Sequence, residues 1–473
     1  FVSDLFLGMK ATGCHQFRVT RNSDLFVDEE AVDDLLIALE GELSSRRFGD
    51  AVRLEVSLDC PEELACFLIG QFGLTDRDLY VCQGPVNLGR LDAIPDLVEA
   101  PELKYPSFRP RIPELLRRSE TIFEAIADNE VLLHHPYESF APFVEMLRQA
   151  ARDPLVVSIR QTLYRTGTGS AVVEALLEAA TAGKDVMVVI ELRARFDEAA
   201  NIELATALQA AGAQVVYGVV GHKTHAKMCM IIRREGRSLK RYVHLGTGNY
   251  HERTSRSYTD FGLFSGDQEL GQDVQKIFQQ IASLGKAGKL KALLQSPFTL
   301  HSGMLEKIEA ERQKALQGQP ALIQAKMNAL TEPKTIRALY EASQAGVRVD
   351  LIVRGVCCLL PGVSGVSENI RVRSVVGRFL EHMRVYCFGV GEDRKIFLSS
   401  ADWMDRNFFR RVEACFPIRD PVLAERVYRE GLANYLDDNT QAWELLSDGK
   451  YQKIKNQGKP YSAQTTLLES LSE

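Results

Sequence analysis

The sequence predicts an α/β protein in which two copies of one unit follow a region of mixed helix and strand. Three observations predict it. Short apolar runs of strand length alternate with amphipathic helices, the pattern of strands joined by helical crossovers. A helix–Gly–strand segment occurs twice, ending Ala182-Gly183 before one strand and Ala345-Gly346 before the other. Each occurrence is then followed, in the same order, by a His-x-cation unit, a small-residue segment and a short acidic triplet.

Taken in order, residues 1–112 carry helical spacing from Asp28 to Leu43 and strand-like alternation over Ala51-Val52-Arg53-Leu54-Glu55-Val56. The prolines of Pro106-Ser107-Phe108-Arg109-Pro110-Arg111-Ile112-Pro113 block helix and central strand alike and mark a linker. The first copy, within 113–295, has a helix from Ala171 to Ala182 with Val173, Leu176, Leu177 and Ala180 on one face, then the strand Val186 to Ile190. The second, within 296–473, has a helix from Pro333 to Ala345 with Ile336, Leu339, Tyr340 and Ser343 on one face, then the strand Val347 to Val353. Gly closes each helix where a left-handed residue is required. In the first copy there follow His225-Ala226-Lys227, Gly246-Thr247-Gly248-Asn249 and Tyr258-Thr259-Asp260. In the second there follow His382-Met383-Arg384, Ser399-Ser400-Ala401-Asp402 and Arg411-Val412-Glu413. Lys450 to Lys459 reads as a solvated basic stretch.

Composition narrows the class. The 473 residues, 45% hydrophobic, exceed what one core accommodates. A net charge of -6 argues against a general nucleic-acid or membrane binder, so a polyanionic substrate needs a local basic pocket. No stretch reaches the ~20 apolar residues of a membrane span, and Phe1-Val2-Ser3-Asp4 is not the start of a signal peptide. Nine cysteines without zinc-ligand spacing fit reduced thiols in a cytoplasm, with Cys357-Cys358 expected in strand packing.

The chemistry centres on His225. Along a strand Lys223, His225 and Lys227 share a face, and two ammonium groups beside an imidazole disfavour its charged form and suit an anion. A core histidine with two snorkelling lysines is the competing reading. The repeat at His382 favours the functional one: one histidine attacks phosphorus, the other serves as acid or base, and Glu381 is placed to orient His382. Arginines are expected around the site: Arg160, Arg165, Arg193, Arg195, Arg354, Arg371, Arg373, Arg378, Arg406, Arg410 and Arg411. There is no glycine-rich phosphate loop, protein-kinase motif set or zinc pattern.

Paired His-x-Lys-like units with a following small-residue segment resemble the phospholipase D superfamily, and imply two repeated phospholipase-D-like α/β domains. That superfamily carries an Asp where this chain has Ile232 and Gly389, which speaks against an ordinary phosphodiesterase. The chain more closely resembles polyphosphate kinase of the first type, through Phe17-Arg18-Val19-Thr20-Arg21-Asn22, His134-His135-Pro136-Tyr137, Glu191 to Glu198, His225-Ala226-Lys227, Leu380-Glu381-His382 and Leu398 to Met404. This resemblance implies a phosphorylated His225 and an essential second histidine, His382. It places Tyr258, Arg354, His382, Lys227 and Arg411 at ATP or phosphate, and Arg165 and Arg195 at the Mg-ATP site. An arginine cannot ligate a cation, so those two would act on phosphate beside Mg²⁺. Family members carry an N-terminal domain and a longer helical domain ahead of the point where this chain begins, so the resemblance implies a chain lacking the first and part of the second. It also implies ATP, ADP and polyphosphate as substrates and a homo-oligomer, dimer or tetramer. The implied location is cytoplasmic, with peripheral contact at the inner membrane face left open. The expected reaction is reversible transfer of the ATP γ-phosphate to polyphosphate through a phosphohistidine. A phospholipase-D-like phosphodiesterase and a non-catalytic polyanion-binding module are the alternatives.

Overall fold

The structure, a computed structural model, describes residues 10–22, 49–164, 169–192, 198–219, 221–283, 288–455 and 458–473. It divides into two compact units, Phe1–Pro106 and Ser107–Glu473. In the first unit β1 (Phe17–Arg21) pairs antiparallel with β2 (Ala51–Ser57), and β2 pairs parallel with β3 (Leu79–Cys82). The helix Glu62–Phe72 closes over Leu54 and Val56 with Leu68. The helix expected from Asp28 to Leu43 lies outside the described residues.

The second unit holds two sheets of one design. In the first, β4 (Val131–His135), β5 (Val156–Leu163), β6 (Asp185–Ile190) and β7 (Gln214–Val216) precede the two-residue β8 (Lys223–Thr224). Then come β9 (Lys227–Glu235), β10 (Ser238–Gly246) and β11 (Tyr258–Ser265). Strands β5, β6 and β7 run parallel, and β9, β10 and β11 form an antiparallel meander beside β5. The second sheet repeats this. After β12 (Leu294–Ser296), the strands β13 (Leu322–Met327), β14 (Arg348–Val353) and β15 (Ile370–Val375) run parallel. The two-residue β16 (Leu380–Glu381) leads into the meander of β17 (Arg384–Phe388), β18 (Lys395–Ser399) and β19 (Arg411–Ile418), with β20 (Ala442–Leu445) and β21 (Tyr451–Lys453) at the edge. Two repeated mixed α/β halves are therefore observed, as expected. Parallel strands covered on both faces need continuous apolar runs, which Val186–Ile190 and Val349–Val353 supply fully buried.

The repeated helices span Ala171–Thr181 and Pro333–Gln344, and each ends at a Gly in the left-handed region, Gly183 at φ 80° and Gly346 at φ 97°. The buried face of the first helix is turned by one residue from the expected one, onto Val172, Ala175, Leu176, Ala179 and Ala180. Val173 and Leu177 are only partly covered. Cys357 and Cys358 lie in the loop after β14; Cys357 bridges Leu330 and packs against the core, Cys358 is exposed, and all nine cysteines are free.

The short strands β8 and β16 are exchanged. β8 belongs by sequence to the first half but pairs parallel with β19 of the second, Lys223 opposite Arg411 and Thr224 opposite Val412. β16 pairs in the same way with β11 of the first half, Leu380 opposite Tyr258 and Thr259 opposite Glu381. One apolar core runs beneath both sheets, joining Leu132, Val243 and Phe261 to Val385, Phe416 and Leu467.

Candidate active site

The strand exchange decides which side chains meet. After β8 the backbone N–H groups of His225 and Ala226 both donate to the Val412 carbonyl, at 2.9 and 2.8 Å. This brings His225 beside Glu413, two residues past the Lys223–Arg411 pair on each strand. His225 Nδ1 lies 2.9 Å from both Glu413 carboxylate oxygens. In the other crossing, the His382 N–H donates to Thr259 Oγ1 at 3.2 Å, and His382 Nδ1 lies 3.0 and 2.9 Å from the oxygens of Asp260. Each histidine is thus oriented by a carboxylate of the opposite half. Each carboxylate is oriented in turn by a hydroxyl thirteen residues earlier in its own half: Thr247 Oγ1 donates to Asp260 at 2.6 Å, and Ser400 Oγ donates to Glu413 at 2.5 Å.

His225, Glu413, Asp260, Lys227 and Arg384 are all buried. Burial, then Lys227, Arg411 and Arg384, push the His225 imidazolium well below the usual histidine range, so the ring is neutral. With Nδ1–H donated to Glu413, the Nε2 lone pair points away from the carboxylate. Burial raises the Glu413 carboxyl to about 7 against the pull of Lys227 and Arg411. Asp260 differs: burial raises it, but His382, Thr247 and Arg384 outweigh that and hold it below the usual range. Burial lowers His382, with Asp260 opposing and Arg384 assisting. Gly248 has no room for a side chain, since a Cβ there would sit 2.1 Å from Asp260 Oδ2.

Of the residues expected at the site, Lys227 is buried, donates to the His225 carbonyl, and lies 5.5 Å from the Tyr164 ring centroid. Burial first, then Arg384 and Arg411, depress its ammonium well below the usual range. Tyr258 packs on His382 with ring centroids 5.3 Å apart. Arg354 donates from Nε to Asn328 Oδ1 at 3.1 Å, and Asn328 donates to the His382 carbonyl at 3.1 Å. Arg411 Nη1 is 3.7 Å from Glu413. Arg165, Arg193 and Arg195 lie outside the described residues.

Other expectations are corrected. Glu381 does not orient His382: its carboxylate accepts from Lys326 Nζ at 2.6 Å, Thr259 Oγ1 at 2.8 Å and Gln464 Nε2 at 2.5 Å, and the His382 ring is served by Asp260. Arg160 is spent on Asp185 through two bonds, 2.9 and 2.6 Å. Arg373 donates to the Leu436 carbonyl, and Arg378 lies over the Phe108 and Phe379 rings. Sequence reasoning missed Asp260 as the partner of His382, although its thirteen-residue spacing from Thr247 matches that of Glu413 from Ser400. Among the described residues no group of three or more His, Cys, Asp or Glu is placed to hold a metal, and Asp260, Glu413 and Asp402 each face a histidine or an arginine.

Comparison with known proteins gives three family matches in chain order. They are the polyphosphate kinase middle domain over residues 1–94, C-terminal domain 1 over 121–287 and C-terminal domain 2 over 293–464. A polyphosphate kinase of Pseudomonas aeruginosa is 57% identical over 471 residues, covering 99% of this chain and 68% of the relative. One from Xylella fastidiosa is 58% identical over 473 residues, covering 100% and 67%. The crystal structure of the Porphyromonas gingivalis polyphosphate kinase superposes with a TM-score of 0.86 at 30% identity, over 99% of this chain and 69% of that one.

Proposed function

Because the chain belongs to the polyphosphate kinase family and so is an ATP:polyphosphate phosphotransferase, we propose that it moves the phosphoryl group through a phosphohistidine at His225. The observation that carries this reading is the pairing of His225 Nδ1 with Glu413, which leaves Nε2 as the only ring nitrogen with a lone pair to offer. That lone pair attacks the γ-phosphorus of ATP. The N–P bond forms, the bond from phosphorus to the β,γ-bridging oxygen breaks, and ADP leaves with its electron pair. Positive charge that develops on the imidazole is met by the Glu413 carboxylate. In the second half-reaction a terminal oxygen of polyphosphate attacks the same phosphorus, the N–P bond breaks, and the chain is one unit longer.

The residues present stabilise charge and position groups, which is most of what phosphoryl transfer asks of a protein. Lys227 faces the transferring oxygens. Tyr258, packed on His382, and Arg354, bonded to Asn328, hold the nucleotide. His382 exchanges a proton at Nε2 with the β-phosphate oxygen that leaves or returns. Arg411 supplies further positive charge beside Glu413. Mg²⁺ enters as part of the Mg-ATP substrate, ligated by phosphate oxygens, with Arg165 and Arg195 assigned to the same phosphates. The anhydride and the N–P bond have comparable transfer potential, so the reaction runs in both directions. No described helix is long and apolar enough to cross a membrane. A reaction that consumes ATP, in a chain with nine free thiols, suits the cytoplasm. We extend the family assignment to a homo-oligomer, which light scattering on the purified chain would test.

The deciding experiment is incubation with ATP labelled at the γ-phosphate. Wild type acquires an acid-labile, base-stable label, and His225→Ala acquires none. A labelled His225→Ala protein overturns the assignment.

A further inference from the structure

The two halves carry the same units in the same order, and one of their differences in charge lies beside the histidines. In the first half the cation is Lys227 and the end of the small-residue segment is Asn249. In the second they are Arg384 and Asp402. Asp402 takes Arg384 Nε at 3.2 Å and Nη2 at 3.0 Å, while its Oδ1 also accepts from the Asn328 backbone N–H at 2.7 Å and side chain at 3.1 Å. The remaining Arg384 nitrogen, Nη1, is thereby held 3.2 Å from His382 Nε2 and 3.4 Å from Nδ1, and it reaches the Thr247 carbonyl at 3.3 Å. Near-equal distances to both ring nitrogens place that guanidinium over the face of the imidazole, where it opposes the positive charge that attack through Nε2 would create, while the Nε2 edge stays open for a proton.

The first half lacks this clamp. Asn249 carries no charge, and among the described residues Lys227 has no ion pair; its ammonium donates to the His225 backbone carbonyl. Asn249 Oδ1 is buried without a hydrogen-bond partner. Beside His382 the cation thus has a carboxylate bound to it directly, and beside His225, among the described residues, Lys227 has none.

We propose that Asp402 decides which histidine takes the phosphoryl group, by holding Arg384 over His382 and leaving His225 as the nucleophile. The proposal rests on the phosphohistidine reading above. Asp402 is a positioning residue, acting only through Arg384. Its counterpart Asn249 keeps the first half receptive because an amide leaves Lys227 free for the phosphoryl oxygens.

The test is to map phosphohistidine by peptide mass spectrometry under alkaline conditions after incubation with Mg-ATP. Asp402→Asn keeps an acceptor for the Asn328 N–H and loses the charge at Oδ2; because it leaves the buried Arg384 without its ion, a thermal melt first confirms that each variant is folded. Wild type carries label on His225 alone, and His225→Ala carries none. The double variant His225→Ala/Asp402→Asn regains label, all of it on His382, to at least one-tenth of the wild-type level. Misfolding cannot produce that gain. In the opposite direction, Asn249→Asp pairs Lys227 and loses at least 100-fold of the labelling rate at His225, with an unchanged melting temperature. A folded double variant without label on His382 overturns the proposal, as does Asn249→Asp labelled within twofold of wild type. An unlabelled wild type would instead fail the phosphohistidine reading itself.

Discussion

Two carboxylates in equivalent places are tuned apart, and the difference bears on the chemistry. Asp260 stays ionised throughout the neutral range, whereas the Glu413 carboxyl is raised to about 7. In the proposed mechanism an ionised Glu413 accepts Nδ1–H and the attacking lone pair sits on Nε2. When it gains a proton it donates to Nδ1, the ring proton moves to Nε2, and attack is blocked. The rate of phosphoenzyme formation is therefore expected to fall about tenfold per unit as pH drops below about 7, in step with the ionised fraction. Glu413→Gln should remove that acid limb and slow the step by on the order of 10²–10⁴-fold, since the tautomer is no longer fixed. Rapid-quench labelling between pH 5.5 and 8.5 would check both; an unshifted acid limb in the variant would assign it to another group. At this scale the histidines and their cations were legible in the sequence because they repeat. The partners were not. Glu381, adjacent to His382, is the wrong carboxylate, because adjacent strand residues face opposite ways and its side chain turns to Lys326. The correct one, Asp260, is 122 residues away.

Elements of two residues do much of the positioning. β8 and β16 are too short to show as strands by periodicity, and parallel pairing with a distant strand leaves no local signal, so the exchange was not legible even though the flanking helices, closing glycines and long strands were. β16 is anchored by a buried cluster. Lys326 of β13 donates to Glu381, and Gln464 of the C-terminal helix Ala463–Leu471 donates to both Glu381 and the Phe379 carbonyl. Burial depresses Lys326 to about 8, against the opposing pull of Glu381, and its ammonium sits 3.0 Å from the Tyr435 ring centroid. Lys326→Met should leave Glu381 buried without its ion and cost about 3–5 kcal/mol. A urea titration would read this as a lowered midpoint at unchanged slope, and a midpoint within error of wild type would show that Gln464 and Thr259 suffice.

At the scale of the whole second unit, repetition of sequence predicted repetition of fold, but not that the copies would be interlocked. Each sheet is completed by a strand from the other half, and one core runs beneath both. A chain cut near residue 290 should therefore give two halves that are insoluble when expressed apart and recover phosphoenzyme formation when expressed together; a soluble, cooperatively melting half would count against the interlock. The crossed pairs also say something about descent. A single copy of the half, on its own, has a histidine whose carboxylate it cannot reach and a carboxylate whose histidine it does not own. Such a copy could work only by meeting a twin across a two-fold axis, where both crossings form at once and are identical. Two halves in one polypeptide are free of that identity, and the contrast of Lys227 and Asn249 with Arg384 and Asp402 is a difference that no symmetric pair of twins could hold.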